Sequence, residues 1–330
     1  MNCEFGHNIF TPDCDFDSAA LDIFRFQHSE NPIYRQYCDT LDIDASRVIN
    51  IEQIPFLPIS FFKTQTVVTT QFDAEVIFES SGTTGLSTSR HYVRDSSLYE
   101  QSFVSAFRVF YGEPSAYCIL GLLPSYLERS NSSLVLMVER LIDLSAHPSG
   151  GFYLHDQKAL SEKLMVLDAA GQKTLLIGVT FALLDFAEKY SMKLGNTIVM
   201  ETGGMKGRRE EMTRNEIHQL LVKGLGVKAV HSEYGMTELL SQAYSYGDGV
   251  FRCPSWMKVL VRAEDDPFAI QAANPAGIRK GALNVIDLAN IYSCSFIASD
   301  DLAYLHTDGS FEVLGRLDLS DVRGCSQMVV

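Results

Sequence analysis

Residues 80–85 read Ser80-Ser81-Gly82-Thr83-Thr84-Gly85, directly after the short apolar run Val76-Ile77-Phe78. The run has the make-up of a strand. From Tyr92 to Phe110 the apolar residues Leu98, Phe103, Phe107 and Phe110 recur at helical spacing, so the stretch is expected to be a strand-to-helix loop. Its glycines let the backbone fold back without a Cβ clash, so that amides can point into the loop. With the hydroxyls of Ser81, Thr83 and Thr84 they would make a cradle for phosphate oxygens. Ser/Thr/Gly clusters are also ordinary loops, and that reading stays open for this stretch alone. The Gly-Lys-Ser/Thr of a Walker loop is absent, which disfavours the usual P-loop NTPase.

Two distant stretches carry the same theme. Tyr234-Gly235-Met236-Thr237-Glu238 follows the strand-like Val227-Lys228-Ala229-Val230-His231. Tyr234 offers a ring to a base, Thr237 a hydroxyl to a phosphate, and Glu238 a hard oxygen ligand to Mg²⁺. Thr and Glu equally suit a plain helix N-terminus. Further on, Asp300 and Asp301 could accept from ribose hydroxyls and Arg316 could meet ribose or phosphate, while Asp308-Gly309 and Gly315 read as hairpin turns.

Strand and helix patterns alternate through the middle of the chain. Strands are expected at 117–123, 174–178 and 197–200, and helices at 132–144, up to Tyr190, and 208–224. The fold class is therefore α/β with mostly parallel pairing. Residues 1–50 are expected to form an N-terminal helical cap, 51–242 an α/β nucleotide-binding core, and 243–330 a β-rich subdomain ending in a short mobile tail. Loops at the C-terminal ends of such strands bind ligands. Those at Ser80, Glu201 and Ser232 all follow apparent strands and could converge on one crevice.

Composition narrows the function classes. At 330 residues, 46% hydrophobic and net charge −14, the chain has the make-up of an ordinary globular protein ill suited to nucleic acid or anionic membranes. An acidic carrier partner would need a local basic patch, for which Lys206, Arg208 and Arg209 are candidates. The seven scattered cysteines include no Cys-x-x-Cys, which disfavours zinc. Neither a signal peptide nor a membrane-spanning run is expected, and the free thiols fit a reducing cytoplasm.

Taken together, the motifs resemble the adenylate-forming superfamily of acyl-CoA synthetases, luciferases and peptide-synthetase adenylation domains. Within it the likeness is to the LuxE-like acyl-protein synthetases of bacterial bioluminescence operons. It runs from about residue 50 to the end, through Ser81 to Gly85, Ser89 to Val93, Gly203-Gly204-Met205-Lys206-Gly207, Tyr234 to Glu238 and Val322-Arg323-Gly324-Cys325. The resemblance implies an adenylate-forming N-terminal-domain-like fold with mixed sheets and flanking helices, and with the C-terminal lid truncated. It implies ATP and Mg²⁺ as cofactors. The loop from Ser81 through Gly82, Thr83 and Thr84 to Gly85 would hold the ATP phosphates, and Gly203 and Gly204 would border adenine. Tyr234, Gly235 and Met236 would belong to the nucleotide site, with Tyr234 against the base. Thr237 would meet the α-phosphate, Glu238 the metal and Asp301 the ribose, with Arg316 and Asp318 at the hinge of the absent lid.

This chain departs from the larger relatives in two ways. Their lysine after the Gly-rich loop is replaced by Leu86-Ser87-Thr88-Ser89-Arg90, and the lid lysine has no counterpart, for which Lys206 and Arg316 are candidates. LuxE-like enzymes are acylated on a cysteine near the C-terminus, where this chain has Cys325. Beside Gly324 for freedom and Arg323 to favour the thiolate, Cys325 would take the acyl group, although most free cysteines are simply buried. The expected activity is ATP-dependent activation of a carboxylic, in particular fatty, acid to its adenylate, with transfer to Cys325. The alternatives are transfer to CoA or a carrier-protein thiol, as in phenylacetate-CoA ligase-like relatives, and a non-catalytic nucleotide- or acyl-binding protein. An acyl-carrier protein, CoA or an acyl reductase is the expected partner class. His231 is expected near the acyl pocket, and no histidine is expected to act as a base, because the attacking carboxylate is already ionised.

Overall fold

The computed structural model describes residues 9–11, 13–80, 88–123, 131–203, 212–264, 266–271 and 277–317. The phosphate-loop residues Ser81 to Gly85, together with Gly204, Lys206, Arg208, Arg209, Asp318 and Cys325, lie outside these residues.

The chain begins with two helices whose ends are written locally. Asp15 caps α1 (Phe16–Glu30), while Asn31 accepts from Tyr34 N and Pro32 opens α2 (Pro32–Thr40). A short strand β1 (Leu57–Pro58) and the single-turn α3 (Phe61–Thr64) follow. Next comes the antiparallel hairpin of β2 (Val76–Glu79) and β3 (Arg90–Val93), then α4 (Ser96–Tyr111), capped by Asp95. The Gly-rich stretch therefore connects two paired strands and not a strand and a helix. Arg90 faces Glu79 across the last pair of this ladder. The Val76–Phe78 strand was legible, but the second strand was hidden in the leading edge of the helical pattern.

The α/β middle contains β4 (Cys118–Leu122), α5 (Ser133–Ser145), β5 (Gly151–Phe152), α6 (Gln157–Ala169), β6 (Thr174–Gly178) and α7 (Thr180–Lys189). It continues through β7 (Thr197–Glu201), α8 (Arg214–Leu225), β8 (Val230–Tyr234) and β9 (Ala243–Ser245). Among the described residues these strands form one sheet in the order β5-β4-β6-β7-β8-β9, parallel except for β9. Every residue of β4 and β6 is buried, as expected for strands covered on both faces. Helix α8 starts at Arg214 and not at Arg208, because Thr213 and Glu216 form a capping box. Met212 lies outside the helix, and Leu220 is exposed.

The remainder is β10 (Val250–Phe251), β11 (Met257–Arg262), β12 (Arg279–Asp287), β13 (Phe296–Leu305) and β14 (Phe311–Arg316). Their order is β10-β14-β13-β12-β11, with β1 running parallel to β13 at Leu57↔Ile297. Asp308-Gly309 makes the expected turn, with Gly309 at φ +82. Gly315 sits inside β14 next to a register shift and is not a turn. The N-terminal helices dock on this second sheet. Phe24, Tyr34 and Phe56 surround the buried Phe296 ring, and Gln27 donates to Asn290 O, Ile291 O and Ser295 Oγ. Truncating such a ring typically costs about 3–5 kcal/mol. Among the described residues, no helix is long and apolar enough to cross a membrane.

Candidate active site

The C-terminal ends of β7 and β8 carry the site, and the hairpin β2–β3 and the second sheet close on it. After β7, Gly203 adopts φ +77, a conformation that favours glycine, and a Cβ there would meet open space. Its amide donates to Glu201 Oε2 at 2.8 Å, and Thr180 Oγ1 donates to the same oxygen at 2.9 Å. Arg214 Nε and His218 Nε2 lie 3.6 and 3.8 Å from Glu201 Oε1. Burial alone would raise the Glu201 carboxyl. His218, Ser232, Arg214 and the Gly203 amide outweigh it and pull the pKa down to about 2. Glu201 thus holds the residues on both sides of the segment 204–211. Sequence reading used it only as a strand end.

After β8, Tyr234 is buried. Its hydroxyl donates to Asp301 Oδ2 at 2.8 Å, and its ring packs edge-on against Phe251 and Phe311. Arg316 is the register partner of Asp301, with Nε 3.7 Å from Asp301 Oδ1, and is itself largely exposed. Burial raises the Asp301 carboxyl, against the pull of Tyr234 and Arg316.

Gly235, Met236 and Thr237 line a cavity of about 190 Å³ together with Glu79, Thr202, Glu233 and Gln242. A Cβ at Gly235 would meet the carboxyl end of the Glu233 side chain, which would have to move aside. Glu233 is buried. That burial, reinforced by the charge of Glu201, pushes its pKa up to about 8.

Glu238 is buried beside the Ser89 hydroxyl. Burial raises its carboxyl, while Ser89, its own backbone, Lys63 and Arg316 oppose the rise. The backbone of its turn is pinned from far away. His91 Nδ1 lies 2.9 Å from Thr237 O and its Nε2 3.0 Å from the Asn290 side chain, whose Nδ2 donates to Glu238 O at 2.8 Å. Burial, against both hydrogen bonds, pushes the His91 pKa down to about 4. The fully buried Asp287 accepts from Leu240 N, Ser241 N, Ser241 Oγ and Ala289 N, fixing the segment that follows.

Of the site residues expected from sequence, the structure groups Gly235, Met236 and Thr237 around one cavity and joins Tyr234, Asp301 and Arg316 in a second cluster. Arg316 also acts on Glu238. His231 is not among the described lining residues of the cavity; its ring packs tilted against Tyr111 and edge-on against Tyr246. Arg90 pairs with Glu79 at 3.3 Å. Asn290, Asp287, Lys63 and Glu233 carried no signal in the sequence, and Glu201 stood there only as the start of a loop. His91, which its place after Arg90 offered either as a positive charge beside the Gly-rich stretch or as a satisfied core residue, is buried and hydrogen-bonded through both ring nitrogens.

The donor set suits a hard cation: a buried carboxylate at Glu238, a hydroxyl at Ser89 and, among the described residues, no ion pair closing Glu238 off. No group of three or more metal-ligating side chains occurs among the described residues, so such a cation would share its coordination with ligand oxygens.

A model of the family described as acyl-protein synthetase, LuxE, matches residues 15–330. No curated protein matches the chain. Among solved structures, 2-hydroxyisobutyryl-CoA ligase in the postadenylation state with 2-HIB-AMP is similar, at 13% identity and TM-score 0.66, over 91% of this chain and 67% of that one. ATP-bound MatB from Rhodopseudomonas palustris is similar at 17% identity and TM-score 0.52, over 74% of this chain and 49% of that one. The luciferase-like enzyme from the nonluminescent Zophobas morio mealworm matches at 17% and 0.50, over 76% of this chain and 59% of its own. At such identities the likeness is one of fold, the adenylate-forming fold expected from the motifs. The chain spans about two thirds of the first and half of the second. By the family match over nearly its whole length, the chain belongs to the LuxE family of acyl-protein synthetases, and so to the acyl-adenylating ligases.

Proposed function

We propose that the protein activates a carboxylic acid with ATP and passes the acyl group to its own Cys325. The observation that carries this reading is the meeting, at the ends of β7 and β8, of Gly203, the Tyr234–Glu238 turn and the Asp301–Arg316 pair. Asp301 accepts the ribose hydroxyls, Thr237 meets the α-phosphate, and Ser81 to Gly85 with Gly204 complete the nucleotide site. The substrate carboxylate oxygen attacks the α-phosphorus and pyrophosphate leaves. The thiolate of Cys325 then attacks the acyl carbon, and AMP leaves with the bonding pair. Mg²⁺, held by Glu238 and phosphate oxygens, would offset the charge on the phosphates. Lys206 and Arg316 are the candidates for stabilising the transition state. The chain divides, in this reading, into the helical cap of 1–50, the nucleotide-binding core of 51–242 and the β-rich part of 243–330, working in the cytoplasm.

An external thiol is the second reading, because a similar ligase fold has been solved with 2-HIB-AMP and CoA together. ATP–pyrophosphate exchange over a panel of acids, followed by intact mass of the protein, tests both. Acid-dependent exchange with a hydroxylamine-labile acyl mass on the chain supports self-acylation. Exchange with acyl-CoA or acyl-carrier formation and no such mass replaces it. No exchange with any acid removes the adenylation reading.

A further inference from the structure

Glu233 is a group in the site that the adenylation chemistry leaves unused. It stands on β8 just before Tyr234, is 9% exposed, and its carboxyl borders the cavity beside Thr237. Among the described residues, nothing donates to that carboxyl or pairs with it, and only burial and the charge of Glu201 act on it. Two more residues of the same lining, Gln242 and Thr202, each carry a fully buried side-chain oxygen with no hydrogen-bond partner among the described residues. Glu79, the other acid on the lining, is satisfied by Asn131 and Arg90. No Lys, Arg or His is among the described lining residues.

The cavity therefore borders a carboxyl that has, among the described residues, no partner and no lining cation to pair with it. A plain hydrocarbon chain seated there would keep water from that carboxyl and give nothing back, the least favourable outcome for a buried polar group. A ligand that brings its own N–H or O–H would complete it. Thr237, expected at the α-phosphate, lines the same cavity, so an acid with its carboxylate toward Thr237 would extend its other end toward Glu233.

We propose that this cavity is the acyl site for a small carboxylic acid bearing a hydrogen-bond donor, a hydroxyl or a protonated amine, accepted by Glu233. This assignment rests on the adenylation reading of the same site and replaces the fatty acid suggested by the family resemblance. A site built to bond a polar substituent discriminates strongly against the analogue that lacks it, because its own groups are then left unpaired.

The test uses the full chain and short acids of matched carbon skeleton, unsubstituted, hydroxylated or aminated, in ATP–pyrophosphate exchange. In parallel, the Tm shift produced by each acid is recorded without ATP. Wild type is expected to prefer donor-bearing acids by about 10²-fold or more, and Glu233→Leu to erase that preference. Glu233→Gln separates the two donors, abolishing selection of an ammonium while largely keeping selection of a hydroxyl. If unsubstituted acids are the best substrates of both wild type and Glu233→Leu, the pocket assignment is overturned while adenylation stands. If no acid supports exchange, yet donor-bearing acids alone raise the Tm of wild type and not of Glu233→Leu, the pocket assignment stands and adenylation fails. No exchange and no selective Tm shift overturns both. The Tm of each variant alone reports whether it folds.

Discussion

The hydroxyl of Tyr234, at the end of the parallel sheet, donates a 2.8 Å hydrogen bond to Asp301 on the central strand of the second sheet. This bond ties the two sheets together where the nucleotide is proposed to lie. It also helps a carboxyl whose burial opposes ionisation to remain an acceptor. Tyr234→Phe removes one partner of a buried charged acceptor, which costs about 1–3 kcal/mol. The expected outcome is a loss of that size in urea unfolding, with a raised ATP KM. Unchanged ATP KM alongside the stability loss would restrict the pair to a structural role.

Glu238→Gln should separate stability from activity. The carboxyl is buried at a cost to its charged form, so the neutral isostere should leave the Tm unchanged or higher. Exchange should fall by roughly 10²–10³-fold, the loss that follows removal of an electrostatic stabiliser. Near-wild-type exchange would take Glu238 out of the mechanism.

Asn290 joins His91 to the carbonyl of Glu238. Asn290→Ala leaves a buried carbonyl and a buried ring nitrogen without their partner, a loss of about 1–3 kcal/mol for each group left unsatisfied. Because the turn it holds carries Thr237 and Glu238, kcat is expected to fall further than KM rises. Differential scanning calorimetry and exchange kinetics on the same sample measure both. A large drop in Tm with unaltered kcat would show that the turn keeps its shape without this brace.

Glu233 gives the protein a pH dependence opposite to that of most carboxylates. Its folded-state carboxyl keeps its proton up to about pH 8, whereas an ordinary glutamate loses it near 4.5. Between those values the native state binds the extra proton, so stability falls as pH rises, by roughly 1.4 kcal/mol per unit for one such group. Glu201, pulled down to about 2, contributes fully above 4.5 and loses its contribution only in acid, so it does not mask the effect. Urea unfolding at about pH 5 and about pH 8 should show wild type weaker at the higher pH and Glu233→Gln with a flatter response. Equal slopes for the two proteins would place the Glu233 pKa in the ordinary range.

Cys325→Ser should divide the proposed half-reactions. Adenylation needs Thr237, Glu238 and Asp301 but no thiol, whereas transfer needs a nucleophile that is ionised at neutral pH to the extent of a few per cent, which a serine hydroxyl is not. Pyrophosphate exchange should persist while the acyl mass disappears. Full acylation of the Ser variant would end the self-acylation model.

Local pattern was enough for much of the fold. The continuous apolar runs at Cys118–Leu122 and Thr174–Gly178 announced strands buried on both faces, and Asp308-Gly309 announced a turn, because each is a property of a few adjacent residues. The Tyr234–Glu238 motif and its place after a strand were legible for the same reason. Where two local patterns overlapped, the longer one obscured the shorter. The helical spacing from Tyr92 onward hid the strand Arg90–Val93 and turned a hairpin into an expected strand-to-helix loop.

What supports the site was decided only in three dimensions. His91 meets Asn290 across 199 positions, Tyr234 meets Asp301 across 67, and Gln27 meets Ser295 across 268, and no periodicity in the chain records such pairs. Glu233 is the clearest case. Between Ser232 and Tyr234 it reads as the polar, solvent-facing member of a strand, and only the closure of the sheet beneath α4 and α5 buries it against a cavity. A side chain's sign and length are written in the sequence. Whether water reaches it, and therefore how its charge behaves and what it demands of a ligand, is set by the walls that distant segments build around it.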